Sequence, residues 1–420
     1  MDKLVIEGGV PLRGSVEVSG SKNALLPILA ATLLTPEKCV IKNAPILRDT
    51  QTMIRIIRNL GVDVAIDGST IIVRSGKLMK YIAPYRLVST MRASFCVLGA
   101  LAGRLKKAEV SLPGGCIIGV RPVDLHIKGL RSLGARIEIR DGYVCVDARR
   151  LQGRPVFLGG LFGSSVLATA NVMMAASLAP GTTIIENAAC EPEVVDLADF
   201  LVAMGAKVSG QGSPRITIKG VKSLKGCEYK IIPDRIEAGT FAIAAAITKG
   251  DVTIKNVVVE HLSAVIQKLQ EAGANVQIAK NSIRVRRKGS LKPVNLATLP
   301  YPGFPTDMQA QFMSLMCLAP GISVITERIY PDRFMHIAEL SRMGAQIFRQ
   351  DSTSIVHGVK KLHGAPIMAS DLRASAALVL AGLAAREKTE VLRIYHLERG
   401  YENLDKKLAS LGATICREKQ

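Results

Sequence analysis

Aromatic side chains are scarce in this chain, 4% of 420 residues, and that scarcity limits what its positive charge can mean. Fifty-five Lys and Arg against 35 Asp and Glu give a formal charge of +20, a balance that raises the question of nucleic acid. Base stacking needs aromatic platforms, and the basic residues are dispersed, the densest run being Arg284, Arg286, Arg287 and Lys288. No nucleic-acid partner is expected, since solvated faces and small anionic ligands account for the charge. Long apolar runs are also missing. The longest, residues 24–34, is too short to span a bilayer, and the opening MDKLVIEGG lacks the apolar core of a signal peptide. A cytoplasmic chain without membrane insertion is expected. The eight cysteines (Cys39, Cys96, Cys116, Cys145, Cys190, Cys227, Cys317, Cys416) show no CxxC or other ligand spacing. That pattern argues against a disulfide framework and against a metal site, and most of the eight are expected to be inert core thiols.

What the chain does have is repetition. A helical stretch, a glycine and a strand-like segment recur at Gly61 (NLGVDV), Gly134 (SLGARI), Gly205 (AMGAKV), Gly273 (EAGANV), Gly344 (RMGAQI) and Gly412 (SLGATI). The intervals are 73, 71, 68, 71 and 68 residues, so six units of about seventy fill the chain. Each glycine reads as a left-handed residue ending a helix, with alternation after it marking a strand. Upstream of each lies a second helix, apolar nearly all round, at 24–34, 93–102, 166–178, 238–247, 308–318 and 375–385, as expected for helices buried on most sides. Short Val/Ile strands are expected at 182–188, 251–257 and 323–329. The chain exceeds the size at which one core stops growing. Two α/β domains of three units each are therefore expected, helices inside and sheets outside, with a crossing near 231–235. The period alone leaves a single six-unit array open.

The starts of the apolar helices are unusually polar: Lys22-Asn23, Arg92, Ser164-Ser165, Asp234-Arg235, Asp307, and Asp371 with Arg373. Helix caps explain Ser164, Asp234 and Asp307. They do not explain Lys22, Arg92 and Arg373, because a cation there opposes the helix dipole unless an anion lies between. Arg333 and Arg399 sit in further Gly- or Pro-punctuated segments. The densest group of reactive residues is SLPGGCIIGVRPVDLHI at 111–127, where Gly114 and Gly115 set Cys116 at the tip of a turn, near Arg121, Asp124 and His126. An anionic substrate and a displayed thiol are the chemistry these residues suggest.

The motifs SGSKNALLPILAA, APYRLVSTMRAS, LPGGCIIGVRPVDLHI, GTTIIENAACEPEVVD, PDRIEAGTF, FPTDMQAQF, RFMHIAELSRMGA, DLRASAALVLAG and IYHLERGYE together resemble the UDP-N-acetylglucosamine enolpyruvyl transferases, in family order and from end to end. The resemblance implies a transferase of two inside-out α/β barrels, each of three βαβαββ units. The first domain spans 22–233 and the second 1–21 plus 234–420, with the active site in the cleft between them. It implies transfer of an enolpyruvyl group from phosphoenolpyruvate to the 3′-hydroxyl of UDP-N-acetylglucosamine, the first committed step of bacterial peptidoglycan synthesis. No cofactor or metal is implied, and no protein partner is indicated. Cys116 matches the proton donor, which can form a covalent adduct and is the target of fosfomycin-type epoxides. Asp307 matches the carboxylate at the sugar hydroxyl, a base. Lys22, Arg121 and Arg399 match phosphate contacts; Lys22, Arg333 and Arg373 lie nearer the carboxylate. Asn23, Arg92, Arg121, Pro122, Val123, Asp124, Leu125 and Ile329 match positions around the nucleotide-sugar, and Asp371 joins the substrate-binding set. Diphosphate contacts fall on Gly163, Ser164, Ser165 and Val166. In that loop the sequence departs from the family, with Gly163 where a lysine is common and Leu167 at a glycine, so backbone N–H groups and Ser164 are expected to serve instead. Cys190 stands where arginine is common. Two other readings are a shikimate-phosphate enolpyruvyl transferase, which the GGCIIGVRPVDLH loop and Lys22-Asn23 disfavour, and a basic non-catalytic nucleic-acid-binding repeat protein.

Overall fold

The computed structural model describes residues 2–114, 123–161 and 163–419. The repeats run strand, buried helix, strand, amphipathic helix, strand, strand, the last strand of the sixth being supplied by Asp2–Glu7. There are six four-stranded sheets, three built wholly from one repeat and three completed by a strand from elsewhere in the chain. The second repeat is representative. Ile82–Ala83 lies parallel to Lys107–Ser111, which is antiparallel to Tyr143–Asp147, and Arg136–Arg140 forms the edge.

The chain divides into two compact units, residues 20–114 with 123–232, and residues 2–19 with 233–419, each around its own apolar core. Strands distant in sequence close each one. In the first, Glu228–Lys230 lies parallel to Lys38–Lys42. In the second, Arg13–Glu17 lies parallel to Asp251–Lys255, while Asp2–Glu7 runs antiparallel between Lys388–Leu392 and Thr414–Lys419.

In each unit the helices lie inside and the sheets outside. Every residue from Ile236 to Ile247 of the helix Arg235–Ile247 is buried, as an all-round apolar composition requires. The helix Arg48–Asn59 instead buries only one face, through Met53, Ile54, Ile56 and Ile57, and turns Gln51, Arg55 and Arg58 to solvent. All six repeat glycines take left-handed backbone, φ between 89° and 96°, which ends each amphipathic helix where a side chain would be strained. Gly99 serves a different need. A Cβ there would lie 2.2 Å from the Asn171 carbonyl oxygen, so only glycine lets the helix Val97–Leu105 approach the helix Val166–Ser177 this closely.

Two expectations need correction. The strands at 182–188 and 251–257 are Thr182–Glu186 and Asp251–Lys255, ended by Asn187 and Asn256 at φ of 56° and 58°; the strand at 323–329 is Ile322–Thr326, cut short because the Arg328 N–H turns to Thr298 Oγ1 and the Ile329 and Tyr330 N–H groups to the Glu327 carboxylate. Of the seven cysteines described, only Cys39, Cys96 and Cys317 are buried. Strand alternation sets Cys145 and Cys416 on the outward side of their sheets.

Candidate active site

In the unit containing 233–419, three of the expected residues meet. Asp307 lies in the 3₁₀ turn Thr306–Met308 before the helix Gln309–Met316, and it does not act as the cap expected. Its Oδ1 accepts from Arg333 Nη1 at 2.8 Å, and its Oδ2 accepts from Arg373 Nε at 3.1 Å and Nη2 at 2.9 Å. Two charge-assisted partners outweigh a backbone N–H. Arg373 opens the helix Leu372–Ala384 and is held by Asp371, whose Oδ1 accepts from the Arg373 and Ala374 N–H groups at 2.8 and 3.2 Å. Its side chain is only 1% exposed and stands 5.3 Å from the centre of the Tyr401 ring. Burial works to lower the guanidinium pKa, but the charges of Asp307 and Asp234 and the hydrogen bond to Asp307 hold it above the ordinary arginine value. Its Nη1 is buried with no hydrogen-bond partner among the described residues. Arg333 is nearly as buried and also donates to Thr306 Oγ1 at 3.0 Å. Ile329 and Arg399 are half-buried in the same unit, Arg399 ending the 3₁₀ segment Ile394–Arg399. Asp234 is the helix cap expected, accepting from the Ile236 and Glu237 N–H groups.

The other unit also pairs a helix-start cation with a carboxylate. Lys22 is the first residue of the helix Lys22–Ala31, and its Nζ lies 3.2 Å from Asp49 Oδ2, the two side chains 10% and 5% exposed. The anion expected beside each helix-start cation is therefore, at Lys22 and Arg373, partly a carboxylate of the protein itself. Asn23 and Arg92 are half-buried, Arg92 opening the 3₁₀ segment Arg92–Cys96. Ser165, not Ser164, caps the helix Val166–Ser177, accepting from Ala168 N–H at 3.3 Å. The Gly163 N–H donates to the Gly160 carbonyl at 3.1 Å, so that donor is used inside the loop; Ser164 and Val166 are half-buried. Cys190 donates to the Ala188 carbonyl at 3.7 Å, and burial, then Glu191, push its thiol up; a thiol cannot replace the positive charge of the arginine common there. Asp124 is exposed at the start of the helix Asp124–Ser132, with Val123 and Leu125 half-buried. Cys116, Arg121 and Pro122 lie outside the described residues.

His126 belongs to the core. Its Nδ1 is 2.7 Å from Asn171 Nδ2, which also donates to the Phe95 carbonyl at 3.0 Å, and its ring packs edge-on against Phe95 at 5.0 Å. An amide NH₂ only donates, so Nδ1 accepts and the ring is neutral. Burial, then Arg92, lower its pKa from 6.5 to about 3. A histidine whose folded pKa is depressed contributes stability present above pH 6.5 and lost as pH falls toward 3. His126→Gln is expected to flatten the acid limb of the stability curve in denaturant melts between pH 7 and 4. Some slope should persist through His336, lowered by burial to about 4. An unchanged acid limb would contradict this account of His126.

Sequence reasoning missed Asp49, Thr306, Glu327 and Tyr401. Among the described residues no three His, Cys, Asp or Glu side chains cluster as metal ligands, and no helix is long and apolar enough to cross a membrane.

A family model described as EPSP synthase (3-phosphoshikimate 1-carboxyvinyltransferase) matches residues 6–408. The structure is similar to that of the enolpyruvyl transferase NikO from Streptomyces tendae, with a TM-score of 0.90 at 26% identity, covering 100% of this chain and 99% of that one. EPSP synthase from Acinetobacter baumannii shares the fold, with a TM-score of 0.77 at 19% identity and full coverage of both. The class is thus that of the enolpyruvyl transferases. Over 417 residues, 99% of each chain, the sequence is 56% identical to the UDP-N-acetylglucosamine 1-carboxyvinyltransferase of Methylacidiphilum infernorum and 54% identical to that of Geotalea uraniireducens. The chain belongs to the EPSP synthase family, in its UDP-N-acetylglucosamine 1-carboxyvinyltransferase branch.

Proposed function

We propose that this chain transfers the enolpyruvyl group of phosphoenolpyruvate to the 3′-hydroxyl of UDP-N-acetylglucosamine and releases phosphate, in the cytoplasm, as a step toward peptidoglycan. The observation that carries the reading is the Asp307–Arg333–Arg373 cluster in a chain whose full-length relatives bear that name. In the addition step the sugar oxygen attacks C2 of the enolpyruvate, its proton passing to Asp307, while C3 takes a proton from Cys116. The tetrahedral ketal then loses a proton from C3 and expels phosphate. Such chemistry needs an acid, a base and cations around two anionic groups. Lys22, Arg121 and Arg399 serve the phosphate; Lys22, Arg333 and Arg373 serve the carboxylate. Asn23, Arg92, the segment 121–125, Gly163 to Val166, Ile329 and Asp371 hold the nucleotide-sugar.

Asp307 begins with both oxygens engaged by guanidinium groups. An arriving carboxylate competes for those arginines, and each bond it takes over frees a lone pair on Asp307 for the sugar hydroxyl. Substrate binding thereby readies the base.

The test is phosphate release from the purified protein. Release that requires both phosphoenolpyruvate and UDP-N-acetylglucosamine is expected. Release that proceeds equally with shikimate 3-phosphate as acceptor, or none with either, would overturn the reading.

A further inference from the structure

Glu327 is fully buried directly after the strand Ile322–Thr326. A carboxylate in such a place needs its lone pairs filled, and four donors converge on it. Oε1 accepts from Thr298 Oγ1 at 2.5 Å and from the Ile329 and Tyr330 N–H groups at 2.8 and 3.0 Å; Oε2 accepts from Thr306 Oγ1 at 2.9 Å. Each threonine proton points at Glu327, so each hydroxyl turns a lone pair outward. Thr298 uses it to accept from the Arg328 N–H at 2.9 Å, and Thr306 to accept from Arg333 Nη1 at 3.0 Å. That same Nη1 reaches Asp307 at 2.8 Å. A single line of hydrogen bonds therefore runs Glu327, Thr306, Arg333, Asp307, and its origin also folds back the segment that carries Ile329.

We propose that Glu327 is a positioning residue for the transfer reaction, setting the polarity of the Thr306 hydroxyl and through it the placement of Arg333 against Asp307. It touches no substrate. This rests on the roles given to Asp307 and Arg333 above. Glutamine separates positioning from mere support. Glu327→Gln keeps Oε1 to accept from Ile329 and Tyr330, but its NH₂ faces Thr306. The hydroxyl then accepts from that NH₂, its proton loses the carboxylate that fixed it, and the lone pair that held Arg333 is re-aimed. The segment stays folded while Arg333 is displaced, and misplacement on the order of 1 Å reduces rate about a hundredfold.

The experiment compares kcat and KM, and melting temperature, for wild type, Glu327→Gln, Thr306→Val, Thr306→Ser and the Glu327→Gln/Thr306→Val pair. Glu327→Gln and Thr306→Val should each lower kcat/KM about tenfold to a hundredfold without loss of the folded state. The double variant should be no worse than either, since both break one line, and Thr306→Ser should rescue most of the loss. Additive losses, or a folded Glu327→Gln with wild-type kinetics, would overturn the proposal. Should Glu327→Gln not fold, equal activities for Thr306→Val and Thr306→Ser would overturn it on their own. A wild type without turnover would instead refute the proposed function. The line is then judged by the thermal protection inorganic phosphate gives, which Glu327→Gln and Thr306→Val must lower alike; undiminished protection would overturn it.

Discussion

Asp307→Asn should lower turnover by about 10²–10⁴-fold, the usual range for loss of a general base, and it should also lower the melting temperature. The second effect follows from what the carboxylate holds. Arg373 is 1% exposed and Arg333 7% exposed, and Asp307 bonds both. The asparagine keeps one acceptor but presents an NH₂ to the other guanidinium, leaving two buried charges without the anion they share. Removing one partner of a buried pair destabilises by about 3–5 kcal/mol. Asp307 is 26% exposed, so solvent offsets part of this and about 3 kcal/mol is the better expectation. In a unit of this size that is a fall of roughly 6–12 °C. Added phosphate should recover much of the fall by giving the arginines another anion. Calorimetry with and without phosphate, beside the phosphate-release rate, checks both parts. Wild-type turnover would remove Asp307 from the base role, and an unchanged melting temperature would contradict the paired arginines as the source of stability.

Local signals in the sequence carried far, and long-range ones did not. Gly61, Gly134, Gly205, Gly273, Gly344 and Gly412 mark helix ends because a left-handed residue after a helix is a one-residue requirement. The six buried helices were legible because composition alone distinguishes a helix buried all round. Strand partnering was not. That Asp2–Glu7 completes a sheet with Lys388–Leu392, or Glu228–Lys230 one with Lys38–Lys42, depends on contacts with no local trace. The site divides the same way. Lys22 and Arg373 stood out as cations opposing a helix dipole, a conflict visible locally. Their counter-charges were hidden: Asp307 is 66 residues from Arg373 and 26 from Arg333, and Asp49 reads as an ordinary acid in the first turn of an amphipathic helix. Glu327 fell inside what alternation suggested was a strand, and its role follows from four donors that only the fold assembles.

The same pairing of a helix-start cation with a protein carboxylate makes Asp49→Asn the second large prediction. Lys22 Nζ and Asp49 Oδ2 are 3.2 Å apart in a nearly solvent-free setting, so removal of the charge on Asp49 should destabilise by about 3 kcal/mol, the lower end for a broken buried pair. A lysine can shed its proton where an arginine cannot, which limits the loss. Phosphate should stabilise this variant more than wild type, because the anion now meets an ammonium no longer shared with a carboxylate. A ligand at a hundred times its Kd adds about 2.7 kcal/mol, enough to offset most of the deficit. The two aspartate variants should then part in their kinetics. Asp49 moves no proton, so with Asp49→Asn saturating phosphoenolpyruvate should bring kcat back toward wild type as the substrate supplies the missing anion. Asp307→Asn should stay slow at any substrate concentration, because an anion can neutralise Arg333 and Arg373 but cannot take the proton from the sugar hydroxyl. Melting curves with a phosphate series and full saturation kinetics on both variants provide the measurement. Equal kcat losses at saturation would show that the two carboxylates do not divide into a counter-ion and a base.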